Sequence, residues 1–377
     1  MRLKCLSVVS ETFTKDGKTD VSVSGTDRAG NVGVSGVFPV WMDSMKPTAS
    51  IAADPPENGA GWHKDIPTLN ISTADAAPGN GPGQEASGAE SITYQVNNDP
   101  VQTVADVSAT FTVSEGRNTV RYTAIDAAGN ESQTYTASVK VDLSLPTSQV
   151  TLTPDENNAG WVNANTTVGF TATDPAGPDV AAGSGPAKVT YSATADATIA
   201  STDTAGSSAS RLLSTEGITT FRFFSTDTAG NAELPNLRIV RLDKTKPVTT
   251  CPVTDGKWHA GNQTFTCTAT DAMSGLANPS GDARFTVSTS VADGVETATA
   301  STDSRQVPDV AGNGAVAGPV VNNKIDRKDP TSILTLPATN TGASIGPSTV
   351  PTYLLGQTAK VAYSCADGGS GVSSCLG

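Results

Sequence analysis

Histidine, aromatic residues and charged residues are all scarce in this chain of 377 residues. It contains two histidines, 5% aromatic residues and 16% charged residues. Two histidines leave little room for a histidine-rich metal site or for histidine-based catalysis. The Gly-x-Ser-x-Gly, phosphate-loop and His-Glu-x-x-His motifs of hydrolases and nucleotide-binding enzymes do not occur. The sequence therefore argues against an enzyme.

Basic residues are too few to balance the acidic ones. The chain has 24 Lys and Arg against 37 Asp and Glu, which gives a formal net charge of −13. A negative surface repels phosphate groups, which argues against binding to nucleic acid or to an anionic membrane. No run of about 20 apolar residues is present, so membrane insertion is not expected either.

Glycine and proline, in contrast, are abundant, with 36 and 23 residues. Both interrupt long helices and mark turns, so their abundance favours many short strands joined by turns. No window shows helical periodicity. The sequence thus predicts an all-β fold without long helices.

Two short motifs recur along the chain and define a repeat. Asp-x-Ala-Gly-Asn occurs four times, and its asparagines are 99, 101 and 82 residues apart. Asp-x-x-x-Pro follows each copy, and its prolines are 99, 101 and 83 residues apart. The first motif begins at Asp27, Asp126, Asp227 and Asp309, and the second begins at Asp43, Asp142, Asp243 and Asp326.

The common period divides the chain into three whole units and two partial ones. Three tryptophans (Trp62, Trp161, Trp258) and three further aspartates (Asp75, Asp174, Asp271) keep the same period. We expect whole repeats at 47–143, 144–243 and 244–327. Residues 1–46 match only the end of a repeat and residues 328–377 only its beginning. These end segments have too few strands for a closed sandwich, so we expect exposed and mobile edges there.

Within 47–143, apolar and polar residues alternate in short runs bounded by Gly, Pro, Asn or Asp. Alternation with a period of two is the strand signature, and seven such runs in about 100 residues are typical of an immunoglobulin-type β-sandwich. The runs are 49–53, 69–71, 92–96, 101–104, 110–113, 120–125 and 135–141. In the next-to-last strand of successive units we expect three residues to point inward: Val120, Tyr122 and Ala124; Phe221, Phe223 and Ser225; and, in the first segment, Val21, Val23 and Gly25.

The Thr-Asp-x-Ala-Gly-Asn turn at 226–231 and the Val-Asp-x-x-x-Pro linker at 141–146 resemble those of bacterial immunoglobulin-like domains. Such domains occur in tandem in large surface and secreted proteins, and the resemblance covers essentially the whole chain. It implies a linear array of sandwiches in an extracellular or cell-surface location. It also implies that the partners are neighbouring repeats of a longer parent chain, together with glycan or protein ligands outside the cell.

The same resemblance implies calcium sites, because some adhesin arrays bind Ca²⁺ between successive domains. The candidate ligands are Asp126, Asp142, Asp227 and Asp243, since hard cations prefer oxygen ligands. Other aspartates of the turns, of the linkers and of the series Asp75, Asp174 and Asp271 have the same potential. The alternative is that each aspartate caps its own turn and needs no ion. No other cofactor is predicted.

Five cysteines are present, and we expect two disulfides within units, Cys251–Cys267 and Cys365–Cys375. Such bridges indicate an oxidising, extracytoplasmic compartment. The alternative is a four-cysteine metal site, but the pairs lack Cys-x-x-Cys spacing and lie in different units. Cys5 is left without an evident partner. The basic N-terminus has too short an apolar run for a secretory signal, which we interpret as truncation.

Two functions are compatible with these features of the sequence. The first is a non-catalytic structural or adhesive repeat array that acts as a spacer or stalk on a cell surface. The alternative is a glycan-binding or spacer accessory region of a secreted carbohydrate-active enzyme. Trp62, Trp161 and Trp258 bear on this choice, because an exposed indole can stack on a sugar whereas a packed one cannot. The adjacent His63 and His259 are interpreted as part of a loop surface, since Val162 occupies the same position in the middle repeat.

Overall fold

The computed structural model describes residues 10–79, 83–175, 183–335, 355–356, 358 and 361–377. Within these ranges the regular structure is almost entirely β, with 29 strands and one helix of four residues. None of the described helical structure is long and apolar enough to cross a membrane. The predicted all-β class is confirmed.

Residues 10–46 form a ribbon of short antiparallel strands. The strands are β1 Gly17–Val21, β2 Ser24–Thr26, β3 Val32–Val34 and β4 Phe38–Met42. β1 pairs with β4 and β2 pairs with β3. The expectation that Val23 points into a core is wrong, since its side chain is 70% exposed. No second sheet packs on this ribbon among the described residues, so apolar side chains on both of its faces contact solvent.

The first complete sandwich lies between residues 48 and 141. Its strands are β5 Thr48–Asp54, β6 Thr68–Ala74, β7 Ala89–Val96, β8 Gln102–Val104, β9 Ser108–Thr112, β10 Gly116–Asp126 and β11 Tyr135–Val141. They form a sheet in the order β5-β6-β9 and a second in the order β11-β10-β7-β8. All seven predicted runs are strands, and the two-sheet arrangement is that of an immunoglobulin-like sandwich.

β10 shows why the alternating pattern produces this packing. Val120, Tyr122 and Ala124 are buried against the other sheet, with Val120 and Ala124 completely inaccessible. Arg121, between them, is exposed. Because side chains alternate between the faces of a strand, one apolar face is enough to dock the two sheets.

The second sandwich repeats this arrangement with one additional short strand. Its strands are β12 Thr147–Thr153, β13 Trp161–Val162, β14 Thr166–Thr173, β15 Pro186–Ala195, β16 Ile199–Ala205, β17 Ser208–Leu213, β18 Gly217–Asp227 and β19 Asn236–Leu242. The sheets have the orders β12-β14-β17 and β13-β19-β18-β15-β16. Phe170, Tyr191, Phe221 and Phe223 fill the core, and Phe221, Phe223 and Ser225 point inward as predicted.

The short strand β13 overturns the interpretation of His63 as a loop-surface residue. β13 pairs in parallel with the end of β19, and Val162 is buried in the core of the second sandwich. In the first sandwich His63 makes the equivalent parallel bridge to Val141 and is also buried. A two-residue strand is too short to show an alternation, which is why the sequence pattern missed it.

The third sandwich belongs to the shortest repeat and lacks two of the strands of the first sandwich. Its elements are β20 Val248–Thr250, β21 Trp258–His259, β22 Thr264–Thr270, α1 Pro279–Asp282, β23 Arg284–Ser288, β24 Glu296–Ala300, β25 Arg305–Pro308, β26 Gly314–Ala317 and β27 Asn323–Asp326. The sheets have the orders β20-β22-β23 and β21-β27-β24, and β25 and β26 form a hairpin. The helix has only four residues, which is consistent with the prediction that long helices are absent. It occupies the part of the repeat where β7 and β8 lie in the first sandwich, which accounts for the shorter repeat.

The disulfide Cys251–Cys267 joins the end of β20 to its paired strand β22. It stands at the register position that Ile51 and Ile71 occupy in the first sandwich and that Val150 and Phe170 occupy in the second. A covalent bond thus replaces an apolar cross-strand pair in the unit that has lost two strands. In the last segment, β28 Thr331–Thr335 pairs with β29 Ala362–Ala366, and Cys365–Cys375 is the second disulfide. Both predicted pairings are confirmed, whereas Cys5 lies outside the described residues.

We expect the double substitution Cys251→Ala/Cys267→Ala to lower the free energy of unfolding of the third sandwich by about 3 kcal/mol, because a loop of about 15 residues is no longer closed in the unfolded chain. Hydrogen exchange followed by mass spectrometry at increasing urea concentration measures this for peptides from 248–326. Peptides from 48–141 serve as the internal control. Equal protection of 248–326 in the two proteins would contradict a stabilising role.

Candidate functional site

Clusters of three carboxylates recur along the chain where one unit meets the next. In each cluster one oxygen from every carboxylate lies within 4.8 Å of the others. The clusters are Asp43, Asp75 and Asp126; Asp142, Asp174 and Asp227; Asp243, Asp271 and Asp309; and Glu296, Asp326 and Asp367.

The strand ends explain why three carboxylates that are distant in sequence come together. In the second cluster, Asp142 directly follows the last strand of the first sandwich, β11. Asp174 follows β14 of the second sandwich, and Asp227 is the last residue of β18. The cluster therefore contains one carboxylate from the preceding sandwich and two from the next. The first and third clusters are built in the same way.

Backbone N–H groups hold each carboxylate in place. In the second cluster Ser184 N donates to Asp142 Oδ2 (2.6 Å), Gly185 N donates to Asp174 Oδ2 (2.6 Å), and Asn231 N donates to Asp227 Oδ1 (2.8 Å). The corresponding bonds recur in the first and third clusters, with donors Ser87, Gly88 and Asn130, and Ser274, Gly275 and Asn313. Charge-assisted hydrogen bonds of this kind are the stronger class.

The asparagine of the Asp-x-Ala-Gly-Asn turn connects the two units directly. Asn231 Nδ2 donates to the backbone oxygen of Asp142 (2.8 Å) and to Asp227 Oδ2 (2.8 Å). Asn130 and Asn313 make the same pair of bonds, to the linker oxygens of Asp43 (3.0 Å) and Asp243 (2.9 Å) and to the aspartates of their own turns. The glycine before this asparagine has a positive φ, 102° at Gly230, which a residue with a Cβ rarely adopts. The motif is thus a junction clamp as well as a turn.

A second asparagine reaches across each of the two junctions between complete sandwiches, and the sequence analysis missed it. Asn58 Nδ2 of the first sandwich donates to the backbone oxygens of Thr228 (2.9 Å) and Ala229 (3.0 Å) in the second. Asn157 Nδ2 donates to Val310 O (2.8 Å) in the third. The sequence contains a pattern that could have identified them, since both asparagines stand four residues before a repeat tryptophan.

The first three clusters hold negative charge that no cationic side chain balances. Among the described residues, none of their aspartates forms an ion pair with Lys, Arg or His. Asp75 Oδ1 and Asp174 Oδ1 are buried and accept no hydrogen bond. Burial raises the pKa of Asp174, the nearby carboxylates of Asp142 and Asp227 raise it further, and the bond from Gly185 opposes them. The pKa of Asp75 is raised for the same reasons.

The fourth cluster is built differently. Glu296 and Asp326 come from the third sandwich, and only Asp367 comes from the following segment. Lys328 Nζ lies 3.4 Å from Glu296 Oε1, so part of the negative charge is balanced. The sequence analysis did not identify Glu296 or Asp367. Asp367 stands three residues before Ser370-Gly371, as Asp271 stands before Ser274-Gly275, and this spacing was an available signal.

The four predicted metal ligands do not form one site. Asp142 and Asp227 share the second cluster, whereas Asp126 belongs to the first and Asp243 to the third. Each lies beside two further carboxylates from the linker, turn or mid-repeat series. The donor sets of the first three clusters fit a hard cation, because three carboxylates converge in each, Asp75 Oδ1 and Asp174 Oδ1 are buried without a partner, and no lysine or arginine of the described residues forms an ion pair with these aspartates. The aspartates also cap their own turns, so both roles are compatible with the geometry.

The repeat tryptophans do not form an exposed platform. Trp62 is 5% exposed, and the Arg117 guanidinium lies 4.9 Å from its ring centre. Trp161 and Trp258 are partly buried. A cleft of about 370 Å³ lies beside Trp62 and His63 and is closed on one side by Ala229 and Gly230 of the next unit. The indole thus packs at the junction, as an aromatic with a large area to bury tends to do.

No family model and no curated protein matches the chain. Solved structures are similar to it at low identity. Fibronectin(III)-like modules of CbhA from Clostridium thermocellum are 17% identical, with 52% of this chain and 94% of that one covered and a TM-score of 0.26. A structure of a 1.5-MDa bacterial ice-binding adhesin is 16% identical, with coverage of 75% and 99% and a TM-score of 0.33. A tetra-tandem repeat from the extending region of a large adhesion protein is 18% identical, with coverage of 81% and 82% and a TM-score of 0.31.

At this level of identity the similarity concerns the fold alone. With TM-scores of 0.26, 0.33 and 0.31, these similarities carry no argument by themselves. The two-sheet sandwiches of the chain itself confirm the immunoglobulin-like fold that the turn and linker motifs indicated.

We expect Asn231→Ala to loosen the junction between the first and second sandwiches by about 1–2 kcal/mol, because it removes the hydrogen bond to Asp142 O and leaves that carbonyl without its partner. Hydrogen exchange of peptides spanning 140–147 and 226–232 measures this opening. Asn31→Ala is the matched control, since Asn31 Nδ2 bonds only Asp27 of its own turn among the described residues. Equal effects of the two substitutions on peptides 140–147 would contradict the clamp.

Proposed function

We propose that the chain is a non-catalytic structural array that acts as an extracellular spacer or stalk, with junctions fastened by an asparagine clamp and a calcium ion. The observation that carries this proposal is the recurrence of one junction. The same three carboxylates, held by the same three kinds of N–H donor and crossed by the same asparagine, occur at three successive junctions. A spacer requires that each unit be joined to the next in the same way, and it does not require a binding pocket in each unit.

The division into units supports the same proposal. Three separate hydrophobic clusters, with the partly buried residues packed on them, contain residues of 49–141, 150–242 and 251–320. None of these clusters shares a residue with another. We therefore propose that 47–143, 144–243 and 244–327 fold as autonomous domains, with 1–46 and 328–377 as parts of further repeats. An array of this kind lengthens by addition of units and needs no chemistry.

Calcium would bind at the carboxylate clusters and supply the positive charge that they lack. Asp142, Asp174 and Asp227 would hold it at the second junction, with ligands from both sandwiches. A cation held in this way opposes separation of the two units, because separation would withdraw ligands from it. The corresponding aspartates would serve at the first and third junctions. The fourth cluster, partly balanced by Lys328, would bind a cation less tightly.

The extracellular location rests on the disulfides and the composition. Two disulfides within the chain favour an oxidising compartment. The alternative function, an accessory region that binds glycans for a carbohydrate-active enzyme, has less support. The tryptophans that would carry it are packed or partly packed, with Trp62 almost fully buried.

Millimolar Ca²⁺ should raise the melting temperature relative to EDTA, because a ligand that binds only the folded state stabilises it by about 2.7 kcal/mol at 100 times its dissociation constant. Mg²⁺ at the same concentration is the control for ionic strength. Small-angle scattering should show an elongated particle in both buffers and a narrower distribution of lengths with Ca²⁺. Identical melting curves in Ca²⁺ and EDTA would exclude calcium from the proposal, and a compact particle would exclude the spacer role.

Asp174→Asn should change the melting temperature in opposite directions in EDTA and in Ca²⁺. Without calcium, the ionised Asp174 is unfavourable in the folded state, since its pKa is raised there by burial and by its neighbours. The substitution removes this charge and should raise the melting temperature in EDTA at pH 7. With calcium it removes a ligand and should lower it. Asp27→Asn is the control, because Asp27 is exposed and belongs to none of the carboxylate clusters.

The pH dependence in EDTA follows from the same pKa shifts. An aspartate whose folded-state pKa is raised adds stability that is fully present below its unfolded-state pKa and is lost as the pH rises through the folded-state pKa. Asp75, Asp174 and Asp227 are of this kind, with burial the largest cause in each. We therefore expect a higher melting temperature at about pH 5 than at about pH 7 in EDTA, above the range near pH 4 where ordinary carboxylates titrate. A melting temperature that rises steadily from pH 5 to pH 7 would contradict this.

A further inference from the structure

The outer face of the second sandwich carries exposed apolar residues on its last two strands. We call this the apolar face; it consists of Ile218, Phe224, Leu237 and Ile239. Leu237 is 70% exposed, Ile239 49% and Ile218 44%, and Phe224 is partly exposed. These side chains point away from the core that Phe221, Phe223 and Val240 fill on the other side of the same strands.

The first sandwich shows that the fold does not require this face to be apolar. Its last two strands have the same pairing, with Gly116 opposite Val141 where the second sandwich has Gly217 opposite Leu242. The matching positions are Arg117, Thr123, Thr136 and Ser138. Neighbouring sandwiches of one fold thus differ at all four positions, and only the second exposes aliphatic side chains there.

The strand register makes the face continuous. Arg222 lies opposite Leu237, Thr220 opposite Ile239, and Ile218 opposite Arg241. Directly opposed residues on one face of a sheet have Cβ atoms about 5 Å apart, so these side chains contact one another. The guanidinium of Arg222 also lies 5.7 Å from the ring centre of Phe224. Apolar groups and two arginines therefore form a single surface.

The charge of this surface is opposite to that of the chain. Arg222 and Arg241 are exposed, and neither forms an ion pair within the described residues. The nearby acidic groups are engaged, because Asp203 pairs with Lys188 (2.6 Å) and Asp196 accepts a hydrogen bond from Ile218 N (2.6 Å). Two free guanidiniums beside aliphatic side chains suit a ligand that offers both carboxylates and apolar groups.

The backbone edge of the same sheet is unpaired beside the apolar face, where Arg238 forms an ion pair with Glu156 (2.8 Å). β13 pairs only with Arg241 and Leu242 of β19. Residues 236–240 have β18 on one side and no described strand on the other. An edge of this kind accepts an additional strand, and side chains on one face then determine which strand is accepted.

We propose that the apolar face and the free edge of β19 bind an extended acidic polypeptide segment that carries its aliphatic residues and its carboxylates at every second position, so that both lie on the same face of the segment. Phe224 is the one aromatic residue of the apolar face; it is only partly exposed, and the Arg222 guanidinium lies 5.7 Å from its ring centre. This disfavours a glycan, for which an exposed aromatic platform is the usual surface. The acidic chain disfavours a nucleic acid. A second copy packed face to face would bring Arg222 and Arg241 of both copies together, which disfavours self-association. This binding would add a ligand to the array and does not depend on calcium at the junctions.

Fluorescence anisotropy with a labelled peptide tests the proposal. The probe is a seven-residue peptide with Glu at positions 1 and 7, Val at positions 3 and 5 and Ser at the even positions, so that Glu and Val share one face of the strand. The control peptide has Lys in place of Glu. The whole chain should bind the Glu peptide at least about tenfold more tightly than the Lys peptide, in Ca²⁺ and in EDTA alike. Leu237→Thr/Ile239→Ser, which installs the residues of the first sandwich, should weaken binding at least about tenfold.

The first sandwich provides the reciprocal variant. Arg121 and Lys140 already occupy the positions of Arg222 and Arg241 there, so Thr136→Leu/Ser138→Ile should create a second site and double the number of peptides bound. Thermal melts of both double variants show whether they fold. The proposal is overturned if the Glu peptide binds no better than the Lys peptide, or if Leu237→Thr/Ile239→Ser folds and binds as tightly as the original chain. A concentration-dependent dimer that the same double variant abolishes would also overturn it, in favour of a second copy as the occupant.

Discussion

At each junction between successive units, three carboxylates lie within 4.8 Å of one another, and at the first three junctions no cationic side chain of the described residues balances them. Such an arrangement is unfavourable by itself, since like charges at this distance repel and partial burial strengthens the repulsion. The surrounding structure is organised to hold it. Backbone N–H groups orient each carboxylate, and the asparagine of the Asp-x-Ala-Gly-Asn turn joins the linker of one unit to the turn of the next. The junction is thus a contact in which hydrogen bonds join one unit to the next.

The units themselves tolerate much more variation than the junctions. The second sandwich has an aromatic core around Phe170 and Phe221, whereas the first relies on Ile71, Ile92 and Val120. The third loses two strands and replaces an apolar cross-strand pair by Cys251–Cys267. All three nevertheless present the same clamp to the preceding unit. The outer faces vary as well, and the apolar face of the second sandwich is the clearest case.

The repeat pattern predicted the strands of the first sandwich because each strand is half buried and alternates along its length. The repeat pattern failed at elements that are too short to alternate or that no second sheet covers. β13 has two residues, so no alternation exists, and the interpretation of His63 followed from missing it. The helix Pro279–Asp282 begins with a proline and is capped by Asn278, but four residues are too few to show helical periodicity. Val23 carries a core pattern, yet no second sheet covers it in the described residues.

The sequence alone determined the repeat period, the all-β class, the inward residues of the long strands and the two disulfide pairs, because these depend on spacing and alternation within one unit. Only the tertiary structure decided which aspartates meet. Asp142, Asp174 and Asp227 are up to 85 residues apart and belong to two sandwiches. Their meeting depends on where strand ends from different sheets fall when the units are docked, and the roles of Asn58 and Asn157 depend on the same docking. A contact between folded units is set by their surfaces and relative placement, which a periodicity in the chain does not encode.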